Sequence, residues 1–161
     1  MMGCSQATIT DAAFVHLRGI HTLNTRYCSQ NTITDAAFVH LRGIHTLNMT
    51  CCYRITDAAF AHLRGIHTLE ISACTQLTDA AFAHLRGIHT LDMQYCSQNT
   101  ITDAAFAHLR GIHTLNMRNC NKTTITDAAF AHLRGIADLN MGQAAPSQTL
   151  LLRIYKDSAG W

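Results

Sequence analysis

Eleven histidines and seven cysteines in 161 residues supply most of the reactive side chains available to this chain. The histidines fall into two series: His16, His40, His62, His84, His108 and His132, and then His21, His45, His67, His89 and His113. Six cysteines, Cys4, Cys28, Cys52, Cys74, Cys96 and Cys120, recur every 22 or 24 residues, and only Cys51 stands outside that series. Side chains at matching positions of adjacent strands lie about 4.8 Å apart. Imidazoles at that spacing could share a metal or respond to acid together. No carboxylate accompanies either series to orient the rings, so repetition of one useful turn-covering residue is the simpler reading. The cysteines form no CxxC pair and flank no matched histidine pair, which argues against zinc. No metal or other cofactor is expected. Protonating all eleven histidines would raise the formal charge from +2 to +13, so stability is expected to fall below about pH 6.

Enzymatic function is not expected. The chain has no glycine-rich phosphate loop, nucleophile elbow or unique pair of carboxylates. Each His, Asp or Cys that could act belongs to a series, and a series reports one structural job repeated. The arginines at 18, 42, 64, 86, 110 and 134 share their blocks with aspartates, so a basic stripe for nucleic acid is not expected. At 48% hydrophobic and 14% charged, the chain has the composition to fold around a core. It has no apolar run of membrane-spanning length. Met1-Met2-Gly3-Cys4-Ser5 lacks the basic and apolar regions of a secretory signal. Reduced thiols in an intracellular, cytoplasmic protein are therefore expected.

These series have a common origin in a repeat. Thr-Asp-Ala-Ala-Phe-x-His-Leu-Arg-Gly-Ile occurs six times, with its aspartate at 11, 35, 57, 79, 103 and 127. Phe60, Leu63 and Ile66 are spaced as on one helical face, and Leu69 and Ile71 as on one strand face. Thr56 and Asp57 suit a helix start, and Arg64-Gly65 is expected to close that helix with glycine in the left-handed conformation. Each unit therefore reads as a short helix followed by a short strand. One unit cannot bury its own apolar face, whereas six stacked units can.

The run Ile66-x-x-Leu69-x-Ile71-x-x-Cys74, followed by Leu77-Thr78-Asp79-x-x-Phe82-x-x-Leu85, resembles a leucine-rich repeat of the cysteine-containing subtype. The family is similar to the repeat regions of F-box adaptor proteins, without the F-box. The resemblance implies an α/β solenoid with a parallel sheet on its concave face and short helices on its convex face. It also implies thiols packed inside the turns and non-catalytic binding of a partner protein. Met49, Met93, Met117 and Met141 stand where the family has leucine, and Thr25 does so in the first strand. Copies this alike point to recent duplication or to a designed consensus array.

Comparison among the copies locates the candidate contact residues. The helical block is nearly fixed, while residues at the strand and just after it differ between copies. Strand alternation points the threonines at 22, 46, 68, 90 and 114 away from the core, together with the residue two positions on. The expected partner-binding set is Asn24, Arg26, Tyr27, Asn48, Thr50, Glu70, Ser72, Asp92, Gln94, Tyr95, Asn116, Arg118 and Asn119. Tolerance of exposed residues to change accounts for the same variation. Cys51 is expected to face outward as a free thiol.

The array is expected to span 1–144, with a truncated first unit and no polar cap on its N-terminal face. Residues 145–161 are expected to form a C-terminal cap in which 148–155 returns as an antiparallel strand. That strand could instead exchange with a second chain. The exposed N-terminal end leads to an alternative function, a self-assembling scaffold whose main activity is homo-oligomerisation, for instance as a two-fold dimer.

Overall fold

The computed structural model describes residues 9–27, 32–120 and 123–142. Cys4, Cys28, the N-terminal face and the expected cap at 145–161 lie outside these residues. Six strands form one parallel sheet in chain order: β1 (Thr22–Asn24), β2 (Thr46–Asn48), β3 (Thr68–Glu70), β4 (Thr90–Asp92), β5 (Thr114–Asn116) and β6 (Asp138–Asn140). The register sets equivalent residues side by side, so that Leu47, Leu69, Leu91 and Leu115 form one row. The backbone ladder runs beyond the strands, from His45 N–H donating to His21 C=O through Ala73 N–H donating to Gln94 C=O. This parallel sheet alternating with short helices is the solenoid that the repeat implies.

The helical segments are shorter than their apolar spacing suggests. Asp11–Leu17 and Asp35–Leu41 are 3-10 helices, and α1 (Asp57–Phe60), α2 (Asp79–Phe82), α3 (Asp103–Phe106) and α4 (Asp127–Phe130) are single α-turns. The expected helix end at Arg64-Gly65 is corrected, because α1 stops four residues before Arg64. The Leu-Arg-Gly-Ile that follows is a type II turn. Arg42 has φ −57° and ψ 129°, Gly43 has φ +81°, and Ile44 N–H donates to Leu41 C=O at 3.0 Å. A type II turn needs positive φ at its third residue, which explains a glycine in every copy. A Cβ at Gly87 would meet nothing within 4 Å, yet its φ is +82°. Gly87→Ala should therefore cost about 1–2 kcal/mol from conformation alone, read as a lower urea midpoint with an unchanged slope.

The core is one apolar spine. Phe60, Leu63, Ile66, Leu69, Ile71, Cys74 and Leu77 are all buried, and the same seven positions are buried again from Phe82 onward. A second link joins each unit to the next on the helical side. Asp57 accepts from Thr78 N–H at 2.9 Å and from Thr78 Oγ1–H at 2.6 Å, while Thr78 Oγ1 accepts from Ala80 N–H at 3.2 Å. The same pairing joins Asp11 to Thr34, Asp35 to Thr56, Asp79 to Thr102 and Asp103 to Thr126. Each aspartate thus orients the capping threonine of the following helix.

Candidate functional site

The sheet leaves one face open among the described residues, and the two rows expected there occupy it. Thr68, Glu70, Thr90, Asp92, Thr114, Asn116, Asp138 and Asn140 line a single groove running from β3 to β6. The leucines between them point into the core.

The second of these rows has a local job that the comparison of copies does not reveal. Asn24 Oδ1 accepts from Arg26 N–H at 3.1 Å, Asn48 Oδ1 from Thr50 N–H at 3.0 Å, and Asp92 Oδ1 from Gln94 N–H at 3.1 Å. Asn116 and Asn140 do the same to Arg118 and Gly142. These are Asx turns, which Asn and Asp form readily. Glu70 is the exception. Its carboxylate instead accepts from Asn48 Nδ2, and Ser72 turns its hydroxyl to Asp92 Oδ1 at 2.7 Å. Burial pushes the Glu70 carboxyl above its ordinary value, and the neighbouring Asp92 charge adds to the rise. Arg26 and the Asn48 hydrogen bond act in the opposite direction.

Three residues after Asn24, Asn48, Glu70, Asp92 and Asn116 the chain enters left-handed space without glycine: Tyr27, Cys51, Ala73, Tyr95 and Asn119 have φ between 57° and 62°. Tyr27, Cys51, Ala73 and Tyr95 use their N–H groups all the same, donating to the carbonyls of Thr50, Ser72, Gln94 and Arg118. Tyr27, after β1, and Tyr95, after β4, are 53% and 54% exposed. Tyr53, at 45%, is exposed too and lies outside the expected set. Its phenol is pushed up chiefly by a hydrogen bond to Cys51. Cys51 is a half-buried free thiol.

The expected set therefore divides. Glu70, Asp92 and Asn116 line the groove and are half-buried, as are Ser72 and Gln94 just after its strands, whereas Asn24 and Arg26 are half-buried at β1, outside it, and Arg118 and Asn119 are exposed after β5. Asn48 and Thr50 depart from expectation, since both are only 9% exposed. Asn48 bonds to both Thr50 and Glu70.

The cysteine series lies inside the turns. The Cys74, Cys96 and Cys120 thiols donate to the carbonyls of Met49, Ile71 and Met93 at 3.2, 3.4 and 3.0 Å. Burial pushes Cys96 and Cys120 up to about 12 and Cys74 well above the ordinary thiol value. At neutral pH such thiols stay protonated and are poor nucleophiles.

The two histidine series have different partners. The rings of His21, His45, His67, His89 and His113 stack with centroids 4.5 Å apart. Nδ1 of His67 lies 3.2 Å from Thr68 Oγ1, and His45, His89 and His113 meet their threonines in the same way. In the outer series, Nδ1 of His40, His62 and His84 accepts from the Nε–H of Arg18, Arg42 and Arg64 at 3.4 Å. Among the described residues, no group of three or more His, Cys, Asp or Glu side chains is arranged to hold a metal.

At the middle of the stack, desolvation lowers the His67 pKa below the ordinary 6.5, and the neighbouring His45 and His89 add to the fall. The folded chain then binds fewer protons there than the unfolded chain. Stability is complete above about pH 6.5 and declines as the pH drops below it. The urea midpoint should be lower at pH 5 than at pH 7.5, with a smaller difference in His67→Gln. Equal midpoints at both pH values would refute this.

Comparison with known proteins completes the description. Residues 31–146 match, in six copies, the family described as BspA type leucine rich repeat region, where the sequence resemblance points to the cysteine-containing subtype. No curated protein sequence matches the chain. Among solved structures it is similar to the complex of Rad7 and Elc1 in yeast, with 15% identity, a TM-score of 0.62 and 79% of this chain covered. It is also similar to the Toll–Spatzle complex of Drosophila, with 14% identity, a TM-score of 0.59 and 83% covered. The matches span 38% and 22% of those two chains, so this chain corresponds to well under half of either.

Proposed function

The chain belongs to the leucine-rich repeat family through its BspA type region, and from that membership we propose that it is a non-catalytic module that binds a partner protein on its concave sheet face. The carrying observation is a continuous groove across four strands that no described residue covers. Its floor is polar and fixed in place by backbone hydrogen bonds. Tyr95 is exposed just after β4 and Tyr27 just after β1, and tyrosine is enriched among residues that anchor interfaces. The similar structures are themselves complexes, Rad7 with Elc1 and Toll with Spatzle. The buried thiol series fits a reducing compartment, which supports an intracellular setting.

The test is affinity capture with the wild type, a groove variant and a convex variant. Thr90 lies mid-groove, so Thr90→Trp obstructs it, whereas Arg86 is exposed on the turn after α2 and Arg86→Ala leaves it clear. Proteins retained by the wild type and by Arg86→Ala, but lost with Thr90→Trp, are the expected result. Loss with Arg86→Ala and retention with Thr90→Trp would overturn it. The exposed tyrosines are tested by Tyr27→Ala/Tyr95→Ala, which should reduce the same capture.

A further inference from the structure

We infer that one flank of the solenoid is an electrostatic docking surface for an anionic lipid bilayer. This surface is separate from the concave groove. It lies at the starts of the strands, where the turn Leu63-Arg64-Gly65-Ile66 leads through His67 into β3. The same turn recurs in every unit and carries Arg18, Arg42, Arg64, Arg86, Arg110 and Arg134, all six of them exposed. They are half of the twelve Lys and Arg residues in the chain.

Sharing a block with aspartate does not neutralise these arginines. The stretches 14–23, 38–47, 60–69, 82–91 and 106–115 each hold one arginine, two histidines and no carboxylate. Asp57 and Asp79 stand at the starts of α1 and α2, and each gives both its oxygens to the threonine of the next unit. Glu70, Asp92 and Asp138 line the groove instead. The partners of the arginines are histidines: Nε–H of Arg18, Arg42 and Arg64 donates to Nδ1 of the outer series at 3.4 Å. A ring that accepts at Nδ1 is unprotonated there, so it positions the cation without repelling it. Both Nη groups of each guanidinium remain as donors. Gly65, Gly87 and Gly111 add exposed N–H groups that meet no acceptor among the described residues.

Pitch and shape select the occupant. The neighbouring imidazoles stack at 4.5 Å with successive planes tilted by 11° to 17°, so the flank is regular and only gently curved. Its arginines recur at about the strand spacing of 4.8 Å, in a row about 24 Å long. An extended acidic peptide presents same-face residues about 6.6 Å apart and falls out of step within two rungs. Single-stranded nucleic acid is held largely by stacking on aromatic faces, and here the imidazole faces cover one another. The phosphates of a duplex follow a helical path that curves away from a straight row. A fluid bilayer has no fixed pitch, and its plane reaches all six rungs at once. Each arginine near an anionic surface raises partitioning roughly five-fold. No Tyr or Trp occupies the five stretches, so the attachment is electrostatic and reversible by salt. The groove opens on the sheet face and stays free for a protein partner.

The test is co-sedimentation of the full chain with vesicles at neutral pH and about 0.1 M salt, with each variant checked for folding by circular dichroism. Wild type should sediment with vesicles of phosphatidylcholine mixed with phosphatidylserine and stay in solution with phosphatidylcholine alone. Arg86→Gln should weaken binding roughly five-fold, and Arg64→Gln/Arg86→Gln/Arg110→Gln about a hundred-fold. Arg64→Lys/Arg86→Lys/Arg110→Lys keeps the charge and should bind within a few-fold of wild type. Arg54 is exposed between β2 and α1, away from the flank, so Arg54→Gln should bind as wild type does. Salt at about 1 M, where the Debye length falls to about 3 Å, should release the protein. No sedimentation with phosphatidylserine, equal losses in Arg54→Gln and Arg86→Gln, or wild-type binding by the triple Gln variant would overturn the proposal. So would a duplex oligonucleotide that, at equal phosphate concentration, strips the protein from the vesicles, since the flank would then belong to nucleic acid. The concave docking face is decided separately, by Thr90→Trp.

Discussion

Phe82→Ala should destabilise the protein by about 3–5 kcal/mol, the range for removing a fully buried phenylalanine. The ring has no exposed surface, and its neighbours Leu85, Ile88 and Leu91 are also buried, which leaves little freedom to collapse into the vacated space. Position in the array enlarges the consequence. Each repeat touches only the repeats beside it, and α2 packs against both α1 and α3. A defect there weakens two interfaces, whereas one at Phe14 weakens the only interface its helix makes within the described array. Urea unfolding followed by circular dichroism should show the fall at Phe82, with a smaller one for Phe14→Ala. Equal losses at the two sites would contradict nearest-neighbour stacking.

The second large effect concerns Asp79. Its two oxygens accept from Thr102 N–H at 2.7 Å and Thr102 Oγ1–H at 2.6 Å. Hydrogen bonds to a charged group contribute about 1.5–3 kcal/mol each, and they share a single carboxylate here. Asp79→Ala should therefore cost about 2–4 kcal/mol, with Thr102 N–H losing its partner at the start of α3. Asp79→Asn keeps an acceptor for that N–H and loses the charge, so its cost should be roughly half. In Asp79→Ala/Thr102→Ala the combined loss should fall short of the sum, because either change alone breaks the same link. Strict additivity would show that the carboxylate acts elsewhere.

The architecture was legible because it is periodic. Six copies of one block, with Phe60, Leu63 and Ile66 spaced three apart before Leu69 and Ile71 spaced two apart, can bury their apolar residues only by stacking in parallel. The length of the helices was not legible. Phe60 lies in a helical turn, whereas Leu63 and Ile66 reach the core from the turns that follow, and a spacing of three suits a succession of tight turns as well as a helix. The same degeneracy applies to glycine, which serves a helix end and the third position of a type II turn equally well.

The candidate face was legible as a place but not in its internal logic. Variation at 24, 48, 70, 92, 116 and 140 looks like freedom, yet five of the six are Asn or Asp held in one local hydrogen bond. That restriction becomes meaningful once the backbone is seen to turn left-handed three residues later, at Tyr27, Cys51, Ala73, Tyr95 and Asn119. No residue type announces such a bend when four different side chains share its five positions. Glu70 then stands out as the departure from a rule. The aspartate–threonine links could not be read either, because the two residues adjoin in sequence while each pairs with the adjacent copy.

Because every one of those links reaches exactly one unit ahead, the chain works as a ruler whose divisions can be removed singly. Excising 57–78 would join Thr56 to Asp79, so that Asp35 still grips Thr56 and Asp79 still grips Thr102. The shortened molecule would lose one strand and about 4.8 Å of length, with every remaining rung meeting a neighbour of the kind it had before.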